Sequence, residues 1–356
     1  MTHDNPRMTL GRAPLIVLVL GGMAVGLYGG LARLGVPLPA AADHLADIHG
    51  PLMICGVFGT LISLERAVAI GTRGAFLAPV LLSLGGMALV TGLPDLASRG
   101  LLLSGAAAFV LATLSIMLLQ RAIFTATLLV GAVALLAGLV IWTITADVST
   151  AVGAWLLFLV ATVAAERLEL SRVLIRFSFS VPGFLIAVAP LVVGSILGIA
   201  DQVGARVFGV GLVALTLWLG MNDVATMTIR MRGQPRFMAS AMLAGYVWLP
   251  VAGLALVMAP DATFGYDLVL HAVLIGFVLS MVFGHALIIF PSVARIRLHY
   301  HPSLYLPLAV LHLSVTMRVV GDALEWTTLR TLSGPLTVLA LAVFAATLVR
   351  SSVLQR

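Results

Sequence analysis

Residues 268–290 read LVLHAVLIGFVLSMVFGHALIIF, twenty-three positions with two histidines and no Asp, Glu, Lys or Arg. At a rise of about 1.5 Å per residue such a run crosses the hydrocarbon core of a bilayer, and there every backbone amide needs an internal partner, so the run must be helical. Imidazoles are costly in that setting and mark a site, a pair or a water-filled path. Ala272, Gly276, Ser280 and Gly284 recur at every fourth position, beginning one residue after His271 and ending one before His285. That stripe of small side chains admits either a neighbouring helix or a flat macrocycle.

The same reading extends outward in both directions. Apolar runs bounded by charge, Gly or Pro fall at roughly 13–33, 49–66, 75–93, 101–120, 123–145, 150–168, 180–199, 205–229, 237–259, 268–290, 305–322 and 333–350, which makes twelve candidate spans of about 20 residues. The whole chain of 356 residues is 61% hydrophobic and 10% charged, with a mean hydropathy of +1.14. These values define an all-α polytopic membrane protein, expected to form a single integral domain over 1–356. Connections of about nine residues are too short for an ATPase head, a Rossmann domain or a secreted catalytic domain, so any chemistry lies within the bilayer. Arg7 and Arg12 before residues 13–32, with Ala40, Ala41 and Ala42 downstream, imitate a secretory signal, but the length of the run favours a retained first span.

All twenty basic residues are Arg, and with fourteen acidic residues the formal charge is +6. Fifteen of those Arg fall at the two ends of the chain or in the connections after even-numbered spans, whereas the opposite connections carry Asp43, Asp47, Asp95, Asp147, Asp201, Asp261, Asp267, Asp322 and Glu325. The asymmetry speaks for topology and not for nucleic acid: both termini are expected in the cytoplasm. The single cysteine, Cys55, excludes an intrachain disulfide, a C-x-x-C-H covalent heme attachment and a cysteine zinc cage.

Four histidines lie within spans: His49, His271, His285 and His312. Spans two and ten run in the same direction, which places His49 and His271 at similar outer depths, with an offset of about one helical turn. His285 follows His271 by fourteen residues, about 21 Å along the axis and only some 40° around it, so the two point from one face at two depths. Measured from Pro291 and Pro307, His285 and His312 lie about 9 and 8 Å from the inner boundary. Spacing of this kind suits an outer heme on His49 and His271 and an inner one on His285 and His312; a hydrogen-bonded tie between spans ten and eleven is the alternative for the second pair. Arg318 requires an anionic partner, either Asp322 four residues on or a heme propionate. Asp223, within span eight, suggests a proton path or ion site, or else a pair with a neighbouring Arg. His299 and His301 alternate around Tyr300 in an inner loop, a pattern that suits copper or a plain interfacial loop. Glu65, Glu166 and Glu169 beside Arg66, Arg167 and Arg172 suggest interfacial ion pairs.

The tract His49-Gly50-Pro51-Leu52-Met53-Ile54 resembles the H-G-x-L-M-I segment in the second helix of heme-copper oxidase subunit I, whose His ligates the low-spin heme. That resemblance implies a twelve-helix bundle with an inside N-terminus, a second heme ligand from helix ten and a propionate-binding Arg near the outer end of helix eleven, the spans that hold His271 and Arg318. His271-Ala272-Val273-Leu274-Ile275-Gly276 with Met281 is also similar to the H-A-x-x-x-G-x-x-x-x-M segment of the NnrS family, membrane proteins of twelve spans associated with heme, copper and nitric oxide stress. Spans six and seven contain no His and span ten has no H-x-H pair, so an oxidase or nitric oxide reductase binuclear centre is not supported. His285 has no counterpart in the NnrS segment.

Together these readings point to a heme b protein of NnrS-like type in a bacterial inner membrane, with one heme or two, working in electron transfer or the response to nitric oxide. Its implied partners are the lipid bilayer, a quinol or other redox partner, and nitric oxide. The rival is a heme-free, proton-coupled secondary transporter using Asp223 and the membrane histidines. The topology can be checked directly: reporter fusions at the C-terminus and in the connections after even-numbered spans are expected to report cytoplasm, and a periplasmic C-terminus overturns the orientation.

Overall fold

The structure is a computed structural model and describes residues 12–39, 42–172, 180–294 and 296–353. Arg7, Arg176, Arg295 and Arg356, counted in the topology argument, lie outside the described residues, as do Ala40 and Ala41. Among the described residues there is no strand, and twelve helical segments are long and apolar enough to cross a membrane. They are α1 Arg12–Arg33, α2 Asp43–Ile70, α3 Arg73–Val90, α4 Asp95–Leu119, α5 Ile123–Thr145, α6 Val148–Ser171, α7 Ser180–Leu197, α8 Gln202–Asn222, α9 Gln234–Met258, α10 Gly265–Val293, α11 Pro302–Ala323 and α12 Thr327–Ser352.

Local chemistry sets the ends. Asp201 caps α8 by accepting the amides of Val203 at 2.9 Å and Gly204 at 3.2 Å, the usual use of a short carboxylate at a helix start. Gly71 closes α2 in the left-handed region, φ 74°, and its amide returns to the Ala67 carbonyl. Span eight is shorter than its hydropathy suggested: α8 stops at Asn222, and Asp223 sits beyond it in an extended conformation, φ −75° and ψ 141°. A one-turn helix, Ala225–Thr228, then leads toward α9.

Two spans contain π-helical segments. In α2 the segment Leu52–Phe58 is a π-helix, and in α10 the segment Ala272–Leu279 is another. Pro51 at the entrance of the first lacks the amide that an α-helical turn requires and crowds the carbonyl four residues back, which favours the wider turn. Each π segment begins just past a membrane histidine, His49 in one case and His271 in the other. Such wide turns concentrate at functional positions.

The chain divides into two compact units, Met1–Ala151 with Ile288–Arg297, and Val152–Leu287 with Leu298–Arg356. In the first, α1 packs on α2, and α3, α4 and α5 pack in sequence. Gly22, Gly26 and Gly30 of α1 lie against Val57, Met53 and His49 of α2, so the small-residue stripe of span one is a helix contact. Leu15, Leu64 and Val293 form one small core here, and Val19, Met53 and Val57 another.

In the second unit α7 packs on α8, α8 on the C-terminal half of α9, and α11 on α12. Trp155, Phe158, Phe184, Phe208, Phe237, Phe277 and Phe283 are fully buried there. The stripe of α10 faces α9: a Cβ on Gly276 would collide with the Trp248 ring, Ser280 meets Ala241, and Gly284 approaches Ala241 and Met238. Of the two readings of that stripe, helix and macrocycle, the helix occupies it.

Gly209 of α8 and Gly253 of α9 cross so closely that a Cβ on Gly209 would lie 2.5 Å from the Gly253 carbonyl oxygen. Backbone cannot yield as a side chain can, and overpacking of this kind costs about 1–3 kcal/mol. Gly209→Ala is therefore expected to lower the thermal unfolding midpoint of the detergent-solubilised protein. Gly220→Ala, in the same helix with nothing within 4 Å, is expected to leave it unchanged or slightly raised. Equal effects would contradict the helix crossing.

Candidate heme ligands and two buried charge networks

His49 and His271 share one local design. Nδ1 of His49 donates to the Gly26 carbonyl of α1 at 2.6 Å, and Nδ1 of His271 donates to the Asp267 carbonyl, one turn back in α10, at 2.7 Å. A carbonyl only accepts, so each Nδ1 carries the proton and a neutral ring holds its lone pair on Nε2. Metal-binding histidines are prepared in this way, with the second nitrogen fixed by a backbone or carboxylate acceptor. Gly26 and Gly30 make the His49 bond accessible, because a side chain at Gly30 would overlap the imidazole.

Beside His271, in the second unit, stands a closed network of charge. Arg318 of α11 meets Asp322 at 3.0 Å and Asp267 at 3.2 Å. Arg330 of α12 meets Asp267 at 2.9 Å and also pairs with Asp322, while its guanidinium lies 3.6 Å over the Phe264 ring. Two cations face two anions, and both oxygens of Asp322 are engaged. Arg318 thus has the protein partner anticipated for it in Asp322, with Asp267 and Arg330 completing the set. Arg330 was not foreseen, because its place near the start of span twelve reads as an ordinary boundary charge.

His285 and His312, expected to face one another across an inner heme, have other partners. Nε2 of His285 lies 2.7 Å from Nη2 of Arg167, and its Nδ1 lies 2.8 Å from the Met281 carbonyl. Arg167 only donates and the carbonyl only accepts, so the lone pair and the proton of this ring are both used. Trp248 Nε1–H donates to His312 Nδ1 at 2.9 Å, His312 Nε2–H points to Ser280 Oγ at 3.2 Å, and Ser280 donates to the Ala241 carbonyl at 2.7 Å. The indole and imidazole planes differ by 10°. These rings do not fit axial ligation. Matched depth did not bring them together, because depth leaves rotation about the helix axis open. His312 ties span eleven to spans nine and ten, the kind of tie weighed for the pair, whereas His285 ties span ten to span six instead.

Arg167 is the second departure. Adjacent to Glu166, it reads as an interfacial charge, yet it is buried, donates to Met242 Sδ at 3.1 Å, and has Asp223 Oδ2 4.0 Å from its Nε. Asp223 is fully buried and accepts the Ala225 amide at 2.6 Å. The pairing of Asp223 with an Arg therefore holds, through a residue assigned elsewhere. His301 caps the short 3-10 turn Pro302–Leu304 by accepting the Ser303 amide at 3.1 Å, the behaviour of an interfacial loop. Among the described residues no three His, Cys, Asp or Glu side chains gather as a metal cluster.

Twelve helices long and apolar enough to cross a bilayer, with no strand among the described residues, make this an all-α multi-pass membrane protein. Residues 12–353 match the model of the family described as "Domain of unknown function (DUF8744)", and the chain belongs to that family. No curated protein matches it.

Removing one member of a buried charge set leaves its partner uncompensated, at about 3–5 kcal/mol, whereas exposed pairs contribute about 0–1 kcal/mol. Asp322→Ala strips a counter-ion from both Arg318 and Arg330 and is expected to destabilise the protein by several kcal/mol. Asp95→Ala removes an exposed carboxylate from Arg99, which keeps the Trp142 carbonyl and ring as partners, and is expected to change stability by less than about 1 kcal/mol. Chemical or thermal unfolding of both variants checks the difference, and an Asp322→Ala effect no larger than that of Asp95→Ala would contradict the network.

Proposed function

We propose that the protein binds one heme b in a bacterial inner membrane, with both termini cytoplasmic and with His49 and His271 as axial ligands. The pairing itself rests on the depth argument from the sequence and on the two resemblances. The observation that carries the reading is the design repeated at these two histidines: Nδ1 held by a backbone carbonyl, and a π-helical segment beginning within three residues. The carbonyl bond alone recurs at His285, whose Nε2 goes to Arg167; the π-helical segment beside it sets His49 and His271 apart, and together the two features suit Nε2 as a ligand atom.

A bis-His heme supplies one-electron redox chemistry, and loss of one ligand would open the iron to a diatomic gas. The chain's contribution is to fix ring tautomer and orientation through Gly26 and Asp267. The Asp267 carboxylate at the same time binds Arg318 and Arg330, so the orientation of His271 is mechanically joined to a charge-neutral network. Electron transfer, with a quinol or another redox partner, and NnrS-like response to nitric oxide are the roles this site supports. A coordinatively saturated iron favours the first.

Expression with ample heme, followed by pyridine hemochrome analysis and reduced-minus-oxidised spectra, tests the reading. One heme per chain is expected, with a low-spin alpha band lost in His49→Ala and in His271→Ala and kept in His312→Phe. A heme retained unchanged in both His49→Ala and His271→Ala overturns the ligand assignment. Absence of any heme overturns the reading and leaves the proton-coupled transporter centred on Asp223.

A further inference from the structure

Two clusters of Arg and Asp are buried in the second unit, and they are finished differently. In the Arg318, Asp322, Asp267 and Arg330 network the charges touch directly. In the other, Arg167 of α6 and Asp223 beyond α8 stop 4.0 Å apart, and neither Arg167 Nε nor Asp223 Oδ2 has a hydrogen-bond partner. Tyr246 of α9, whose hydroxyl likewise reaches no partner at full hydrogen-bond geometry, lies close enough to both the Asp223 carboxylate and the Arg167 guanidinium to interact with them. Arg167 is 1% exposed, Asp223 0% and Tyr246 4%, so bulk water does not reach these atoms as placed.

Buried polar atoms are almost always satisfied, by protein or by ordered water. The three atoms here are complementary to a water molecule: Arg167 Nε–H only donates, an ionised Asp223 Oδ2 only accepts, and the Tyr246 hydroxyl does either. Three hydrogen bonds are the usual number for a buried water. The remaining charged and titratable groups around the site are Glu166, next to Arg167 on α6, and His285 on α10, which Arg167 holds at 2.7 Å. Asp223 lies just past Asn222, the last residue of the apolar span, in the connection to α9, and its neighbours Asn222 and Val224 are partly exposed.

We propose that Arg167, Asp223 and Tyr246 form a buried water-binding site at which the Asp223 carboxylate stores an exchangeable proton. A water bridges Arg167 Nε, Asp223 Oδ2 and Tyr246 Oη. On uptake, a lone pair of Asp223 Oδ2 forms an O–H bond to a proton delivered by that water, which regains one from solvent. Arg167 remains a cation, and the charge of the cluster rises by one. The other network has no comparable buried vacancy: both oxygens of Asp322 and one of Asp267 are in direct contact with guanidinium groups, and none of its buried polar atoms lacks a partner. The inference is independent of heme binding.

Infrared difference spectra of the full chain, titrated over pH in H2O and D2O, read the proton directly. A protonated-carboxyl stretch is expected that is deuterium-sensitive and missing in Asp223→Asn. In Tyr246→Phe, which removes a hydrogen-bond donor from the environment of the carboxylate, the midpoint of that band is expected to rise by about one pH unit. An experimental structure is expected to show ordered water within hydrogen-bond distance of all three atoms. The proposal fails if the band persists in Asp223→Asn or if Tyr246→Phe titrates like the native protein. It also fails if the carboxylate and guanidinium are found in direct contact without water. Should Asp223→Asn not fold, the Tyr246→Phe titration and the structure of the native chain decide the matter.

Discussion

Asp267 uses two different oxygen-bearing groups for two purposes, and much of the second unit hangs on the combination. Its carboxylate gathers Arg318 from α11 and Arg330 from α12, while its backbone carbonyl holds Nδ1 of His271 one turn along α10. A guanidinium in hydrocarbon is tolerable only beside an anion, so the positions of α11 and α12 against the start of α10 are constrained by charge as well as by shape. The imidazole inherits that constraint. Any displacement of the ion network is transmitted to the turn that orients the ring.

In the first unit glycine does the corresponding work. Gly26 and Gly30 let α1 approach α2 until a backbone carbonyl becomes the acceptor for His49. The same absence of side chain that brings the helices together also exposes the oxygen that orients the histidine. Helix packing and ring orientation are therefore one requirement on the sequence, although only the packing is suggested by the fourfold spacing itself.

That separation shows what could be read in advance. The twelve spans were legible because the cost of exposing backbone or charge to hydrocarbon is large and is summed over some twenty residues at a time. His49, His271, Arg318 and Asp223 stood out because each is a polar group inside an apolar run. Their partners were harder to find. Arg167 sits at the end of a span beside Glu166, where an interfacial ion pair is the simplest reading, and only the tertiary fold turns it inward toward His285 and Asp223. His285 and His312 matched in depth, but partner choice depends on azimuth, which delivers one to Arg167 and the other to Trp248. The stripe of small residues on α10 was ambiguous for a similar reason: it specifies a close approach without saying what approaches.

The chain of hydrogen bonds from Trp248 through His312 and Ser280 to the Ala241 carbonyl has a fixed direction, because its first member can only donate and its last can only accept. Conduction of a proton along such a chain requires each link to receive one at one end and release one at the other. Indole nitrogen cannot receive, and a backbone carbonyl has nothing to release. The row therefore behaves as an insulator where it joins α9, α10 and α11: it locks one tautomer of His312 in place and offers no leak through the region it staples.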